Sequence, residues 1–241
     1  MKGPVMDYVC VDLETTGLNP KTDKIIEIGA VKVRNGVVVD TFSRFVYPGR
    51  TLEAKITELT GIKDCDLEGQ PGIETVLPAF LEFAENLPLL GHSVLFDYSF
   101  LKRAAVNNRL TFERKGIDTL KIARKYLAEL PSRNLGALCE YFQIPHQAHR
   151  AYEDAQATSL LYHRLCELYY KEEEFMPRTL SYQVKKEGPA TPAQKERLAK
   201  LLKQYGITPD YEIEWLTKNE ASRKIDKLMA QYGIRRKADG V

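Results

Sequence analysis

The chain reads as an α/β protein, a mixed sheet flanked by helices, with a small helical module after it. Three observations predict this. Short apolar runs of strand character recur through the first half, amphipathic stretches of helical period separate them, and beyond residue 175 the strand signal stops.

The elements follow in order. Tyr8-Val9-Cys10-Val11 opens a first strand that closes on Asp12-Leu13-Glu14 and the turn Thr15-Thr16-Gly17. Segments 25–34 and 37–46 are β-branched, and Asn35-Gly36 between them is a two-residue hairpin signal that joins strands two and three antiparallel. Ile73, Val76, Leu77, Phe80, Leu81 and Ala84 recur at helical spacing before a short strand, Leu89–Gly91. A turn then leads into a helix that opens near Asp97, a strand ends near Ile117, and helices are expected over 119–127, 135–142 and 151–170. Domain boundaries are expected at 1–175 for the α/β part, 176–190 for a linker holding Lys185-Lys186, and 191–241 for the module.

The module contains an internal echo. Residues 200–207, KLLKQYGI, are answered 27 positions later by KLMAQYGI. Thr191 with Gln194, and Thr217 with Glu220, have the form of capping boxes that start two helices, and Gly206 and Gly233 are placed to end them. Leu198, Leu201, Leu202 and Tyr205 would pack against Ala221, Ile225, Leu228, Met229 and Tyr232, with Trp215 and Leu216 closing the core.

Charge divides at the same place: residues 176–241 hold 14 Lys/Arg against 8 Asp/Glu, net +6, and residues 1–175 hold 21 against 25, net −4. Arg197, Lys200 and Lys203 lie opposite the apolar face of their helix. A solvated face, contact with phosphates and docking to a protein all fit that pattern, and the sequence leaves the three open.

Composition excludes several classes. The 44% hydrophobic content includes no run of 18 apolar residues, and the N-terminus lacks an apolar signal region, so a cytoplasmic location without membrane contact is expected. Cys10, Cys65, Cys139 and Cys166 form no Cys-x-x-Cys pair, which argues against structural zinc or a dithiol redox site.

The acids of the first strand carry the chemistry. Asp12 and Glu14 are two residues apart, so in a strand both carboxylates leave the same face, separated by roughly twice 3.3 Å. Like charges on a Val-rich strand need a compensating charge or open water. A solvated strand end would satisfy them, and so would divalent cations. Further acids favour the second reading: Asp97 in the segment His92-Ser93-Val94-Leu95-Phe96-Asp97, and Asp154 about a turn inside a long helix, with His149 in the loop before it.

In this order the residues resemble the DEDDh, or DnaQ-like, family of 3′→5′ exonucleases. Asp12, Glu14, Thr15, Thr16 and Gly17 match the family's first motif, His92, Phe96 and Asp97 its second, and His149, Asp154 and Ala155 its third. Ser93 departs from the pattern, standing where the family usually has Asn. Thr60-Gly61-Ile62, Ile117-Asp118-Thr119-Leu120 and Asn134-Leu135-Gly136-Ala137-Leu138 match intermediate features, and the likeness covers about residues 5–170. In context it resembles the proofreading exonuclease domains of bacterial DNA polymerase III, of epsilon or PolC type.

The resemblance implies an RNase H-like fold with a mixed five-stranded sheet and the first strand central. It implies that Asp12, Glu14, Asp97 and Asp154 hold two Mg²⁺ or Mn²⁺ ions, with His149 as general base; imidazole suits that role because it titrates near neutrality. Thr15, Thr16, Gly17 and Leu18 would lie against the terminal nucleotide, Leu18 and Ile62 would offer apolar surface to the last bases, and Phe96 would neighbour the metal site. His146 is expected at the surface, His92 as support beside the site and His163 as structural.

The activity implied is removal of nucleoside 5′-monophosphates from single-stranded DNA 3′ ends, in proofreading, repair or end trimming. An exoribonuclease of RNase T or oligoribonuclease type is the alternative with the same chemistry, and a non-catalytic nucleic-acid-binding protein the alternative without it. A DNA polymerase or another replication or repair protein is a candidate partner. Oligomeric state is left undetermined.

Overall fold

Along strand β1, Tyr8–Thr15, side chains alternate between two apolar layers. Val9, Val11 and Leu13 pack with Leu77 and Phe80 of helix α3 (Ile73–Ala84) and with Tyr98 and Leu101 of α4 (Leu95–Asn107). Tyr8 and Cys10 face the other way, onto Leu161, Tyr162 and Leu165 of α7 (Ala151–Tyr169) and Leu138 of α6 (Leu135–Phe142). By the same alternation Asp12 and Glu14 project to the α7 side. The structure is a computed structural model that describes residues 3–147 and 149–232.

The described residues form two units. The first holds residues up to 48 and 52–184, the second residues 49–51 and those from 185 on. In the first unit an open mixed sheet has the order β3-β2-β1-β4-β5-β6, with β2 at Ile25–Arg34, β3 at Val37–Phe45, β4 at Leu89–Gly91, β5 at Lys115–Asp118 and β6 at Arg178–Thr179. β1 pairs antiparallel with β2 and parallel with β4, and β5 is parallel to β4. The hairpin turn has Asn35 at φ 51° and Gly36 at φ 77°, the left-handed pair that a tight turn between twisted strands requires.

Six strands stand where five were expected. The sixth consists of two residues from the expected linker, which pair with Lys115 and Gly116, while Leu180 after them is buried in the core. Such a strand has too few residues for its alternation to be read in sequence. Short helices α1 (Ala54–Thr60), α2 (Asp64–Leu67) and α8 (Glu172–Phe175) complete the unit, together with α5 (Thr119–Tyr126).

Capping side chains set the helix starts near the site. Asp118 accepts the Leu120 and Lys121 amides at the start of α5 and also the Ser93 amide, tying β5 to the turn after β4. Asn134 accepts the Ala137 amide at the start of α6. Gly29, opposite Asp12 in the β1/β2 ladder, lets α7 lie on the sheet: a Cβ there would come 2.1 Å from the Ala151 carbonyl carbon and the Tyr152 nitrogen. The absence of a side chain on β2 thus lets the helix bearing Asp154 reach the strand bearing Asp12.

In the second unit α9 (Pro192–Tyr205) and α10 (Lys218–Tyr232) pack through Leu198, Leu201, Leu202, Ala221, Ile225 and Leu228, with Leu216 buried between them. Both capping boxes form, and Gly206 ends α9 at φ 64°. Gly233 lies outside the described residues. Two expectations are corrected: Trp215 is 43% exposed and Met229 40%, so neither closes the core. The Tyr205 and Tyr232 rings stack instead, with centroids 4.9 Å apart.

Candidate active site

Three segments bring their acids together at the end of β1. Ligand-type oxygens of Asp12, Glu14 and Asp154 lie within 4.8 Å of one another. Asp97, only 3% exposed at the start of α4, adjoins them. Burial first, then the charges of Asp97, Asp154, Glu14 and Glu27, hold Asp12 well above the usual carboxylate range. Burial, then Asp154 and Glu27, push Glu14 up to about 8, against a downward pull from Arg150. Asp97 is raised by burial too, with its own backbone amide and that of Leu13 pulling the other way.

Acids crowded and withdrawn from water in this way fit a divalent cation, which would replace the lost hydration with charge. The donors are all carboxylate oxygens, the set that suits hard ions.

Asp154 is held on both oxygens. Oδ2 accepts the backbone amides of His149 and Arg150 at 2.9 and 3.2 Å, and Oδ1 accepts Nε2–H of His146 at 2.5 Å. The expectation that His146 is a surface residue is therefore corrected: its side chain is 9% exposed and belongs to the site. The sequence signal was weak, since His146 lies outside the third motif and only the loop's path brings it back onto α7.

His149 adopts a left-handed backbone at φ 68° and is exposed. Its side chain borders an open cavity of about 520 Å³ lined also by Phe45, Thr60, Gly61, Ile62 and Arg150. His146 is the histidine whose ring is hydrogen-bonded to the acid cluster here, whereas His149 reaches Asp154 through its backbone amide.

The other expected residues fall around the same end of the sheet. Thr15 and Thr16 are buried and hold the turn, through Thr15 Oγ1 to the Gly17 carbonyl at 2.7 Å and the Lys24 amide to Thr16 Oγ1 at 3.0 Å. Leu18 after them is 84% exposed. Ile62 is 2% exposed, packed with Ile26, Ile56 and Leu67, so it meets the cavity only by an edge. Phe96 is half-buried against Phe100, centroids 5.0 Å apart. His92 donates Nε2–H to the Arg133 carbonyl at 2.9 Å, joining β4 to the loop before α6. His163 lies remote from the acids, with Nε2 2.9 Å from the Tyr8 hydroxyl.

Sequence reasoning missed Glu27. It sits opposite Glu14 in the β1/β2 ladder, is 1% exposed, and accepts from the Arg150 guanidinium at 3.2 Å and from the Ala151 amide at 3.3 Å. It thereby anchors the loop end and the first turn of α7. An acid inside an apolar β2 run was the available signal.

A family model described as Exonuclease matches residues 9–162. The chain belongs to the exonuclease family. Within it, the chain is 44% identical over 163 residues to the DNA polymerase III PolC-type protein of Caldanaerobacter subterraneus subsp. tengcongensis, a match covering 67% of this chain and 12% of that protein. It is 36% identical over 167 residues to DNA polymerase III subunit epsilon of Aquifex aeolicus, covering 68% and 83% of the two.

This exonuclease-family chain thus spans only about an eighth of the PolC-type relatives it matches. Among solved structures it resembles the nuclease domain of 3′hExo, a DEDDh family member bound to rAMP, with a TM-score of 0.60 at 19% identity over 76% of this chain and 100% of that one. Exonuclease X in complex with 5′ overhanging duplex DNA gives 0.55 at 24% identity over 69% and 96%. These two likenesses establish the RNase H-like exonuclease fold.

Proposed function

We propose that this chain is a metal-dependent 3′→5′ exonuclease that removes nucleoside 5′-monophosphates from single-stranded DNA 3′ ends, in proofreading, repair or end trimming. The observation that carries the reading is the meeting of Asp12, Glu14 and Asp154 within 4.8 Å, in a chain of the exonuclease family. Its relatives named as DNA polymerase III proteins support DNA over RNA and make a replicative polymerase a candidate partner. A cytoplasmic site of action accords with those names; no helix among the described residues is long and apolar enough to cross a membrane.

Asp12, Glu14, Asp97 and Asp154 would hold two Mg²⁺ or Mn²⁺ ions, which when bound activate water and neutralise charge developing on the scissile phosphate. His149 is assigned the proton from the attacking water, on the strength of its five-residue spacing from Asp154 and its place in an exposed loop beside the cavity. His146 is assigned to hold Asp154, leaving the base role to its neighbour. Glu27, through Arg150 and Ala151, fixes the loop on which both histidines depend. Thr15, Thr16, Gly17 and Leu18 form the turn against which the terminal nucleotide would rest, with Phe96 behind the acids and Ile62 at the cavity edge.

A 5′-labelled single strand incubated with Mn²⁺ should shorten by single nucleotides. Asp12→Ala should stop this, and His149→Ala should slow it by about 10²-fold or more while His146→Ala retains a higher rate. Unchanged shortening by Asp12→Ala would overturn the assignment. Turnover on matched DNA and RNA strands reads the substrate preference.

A further inference from the structure

Residues 49–51 leave the β3 strand but fold with the second unit. Arg50 forms an antiparallel bridge with Tyr211, and the flanking bonds run from the Glu212 amide to the Gly49 carbonyl at 2.9 Å and from the Thr51 amide to the Asp210 carbonyl at 3.0 Å. The Tyr211 ring in turn carries the Lys224 ammonium, 3.3 Å from its centroid. Lys227 follows three residues later on α10, and Arg223 precedes; both are exposed and neither makes an ion pair among the described residues. Arg50, Lys224 and Lys227 are thus brought together by one backbone bridge and one helix, and Arg223 lies one turn before Lys227 on that helix.

Lys224 is only partly matched in charge. Burial pushes the Lys224 ammonium below the usual lysine range, Arg50 and Lys227 add to that, and Asp210 and Glu220 oppose it. Glu220 is already committed to the Thr217 cap. Across its described residues the second unit holds 11 Lys/Arg against 7 Asp/Glu. Trp215, four residues beyond Tyr211, leaves 43% of its surface in water although it is the chain's one tryptophan. Cations beside exposed aromatic surface are what a flexible polyanion with stackable bases requires.

We propose that the corner formed by Arg50, Lys224, Lys227 and Arg223 around Tyr211 binds the phosphodiester backbone of a single-stranded nucleic acid, with Trp215 as a stacking surface for a base. The identity of the strand, the same one whose 3′ end the first unit shortens, rests on the exonuclease reading; the binding site itself does not. Two sites on one chain would raise the local concentration of substrate through the tether alone.

The test uses the full chain in EDTA, so that the strand is not cut, and the fluorescence anisotropy of a labelled oligothymidylate of about 20 nucleotides. Arg223→Glu with Lys227→Glu should weaken binding by about tenfold or more at low salt and make its salt dependence shallower by about 1.4, two contacts' worth. Trp215→Ala should weaken it with the salt dependence unchanged. Arg197→Glu with Lys203→Glu, an equal charge change on the outer face of α9, should cost clearly less. Circular dichroism confirms that each variant is folded.

Equal weakening by both charge reversals, or none by the first, overturns the proposal. So does displacement of the strand by polyglutamate as readily as by unlabelled strand, which would indicate an acidic protein partner instead. Hydrolysis of thymidine 5′-p-nitrophenyl phosphate with Mn²⁺ reads the first unit separately. All these variants should retain it; if the parent chain lacks it, the exonuclease reading fails while the binding result stands.

Discussion

Glu27 is a buried carboxylate with no role in the metal set, and its partners explain its presence. Its two oxygens hold the Arg150 guanidinium and the Ala151 amide, one on the loop bearing His149 and the other at the head of the helix bearing Asp154. Glu27→Gln keeps the shape and removes the charge, so one amide must donate where a carboxylate accepted. Turnover should fall by about 10- to 100-fold, as for other residues that orient metal ligands, with the protein still folded. Steady-state kinetics with a melting curve measures both.

His163 supplies a pH prediction of definite sign. Burial holds its imidazole below the ordinary 6.5 beside the Tyr8 hydroxyl, and His92 is lowered by burial as well. A depressed folded pKa means that the unfolded chain binds the proton more readily. The contribution is full above about 6.5 and is lost as pH falls below it. Between pH 8 and pH 5 the parent chain should therefore lose melting temperature relative to His163→Gln, a difference opposite in sign to the trend set by the raised carboxylates Asp12, Glu14 and Asp97.

Among the elements, β1, β2 and α7 decide the site. β1 delivers Asp12 and Glu14 to one face by its alternation, and α7 delivers Asp154 from that face. The distance between them is set by Gly29, where even a methyl group would sit 2.1 Å from the α7 backbone. Backbone cannot yield as a flexible side chain does, so Gly29→Ala should destabilise the fold by about 1–3 kcal/mol and impair turnover beyond that loss. Urea titration and kinetics on the same sample distinguish the two effects. β1, β2 and α3 were legible because their periodicity is long and unbroken. β6 was not: two residues from an apparent linker pair only because β5 offers them a free edge. His146 was missed for a related reason, since its contact with Asp154 depends on a loop turning back and leaves no spacing rule behind.

Across the whole molecule, the buried acids at the centre of the sheet would, on the proposed function, link stability to metal. Asp12, Glu14 and Asp97 all have pKa values raised by burial, so the metal-free protein near neutral pH carries an unfavourable cluster. Mn²⁺ should raise the melting temperature, by an amount corresponding to about 2.7 kcal/mol at a hundredfold excess over Kd, and Asp12→Ala should lose most of that gain in differential scanning fluorimetry. The sequence by itself determined the α/β class, the hairpin, the acids and the caps of both C-terminal helices, because these depend on neighbours a few residues away. Only the tertiary structure decided which histidine ring touches the cluster, that Glu27 anchors α7, that Trp215 is exposed and that residues 49–51 join the second unit. Those facts depend on where distant segments meet, and packing and backbone pairing settle that without leaving a local pattern in the chain.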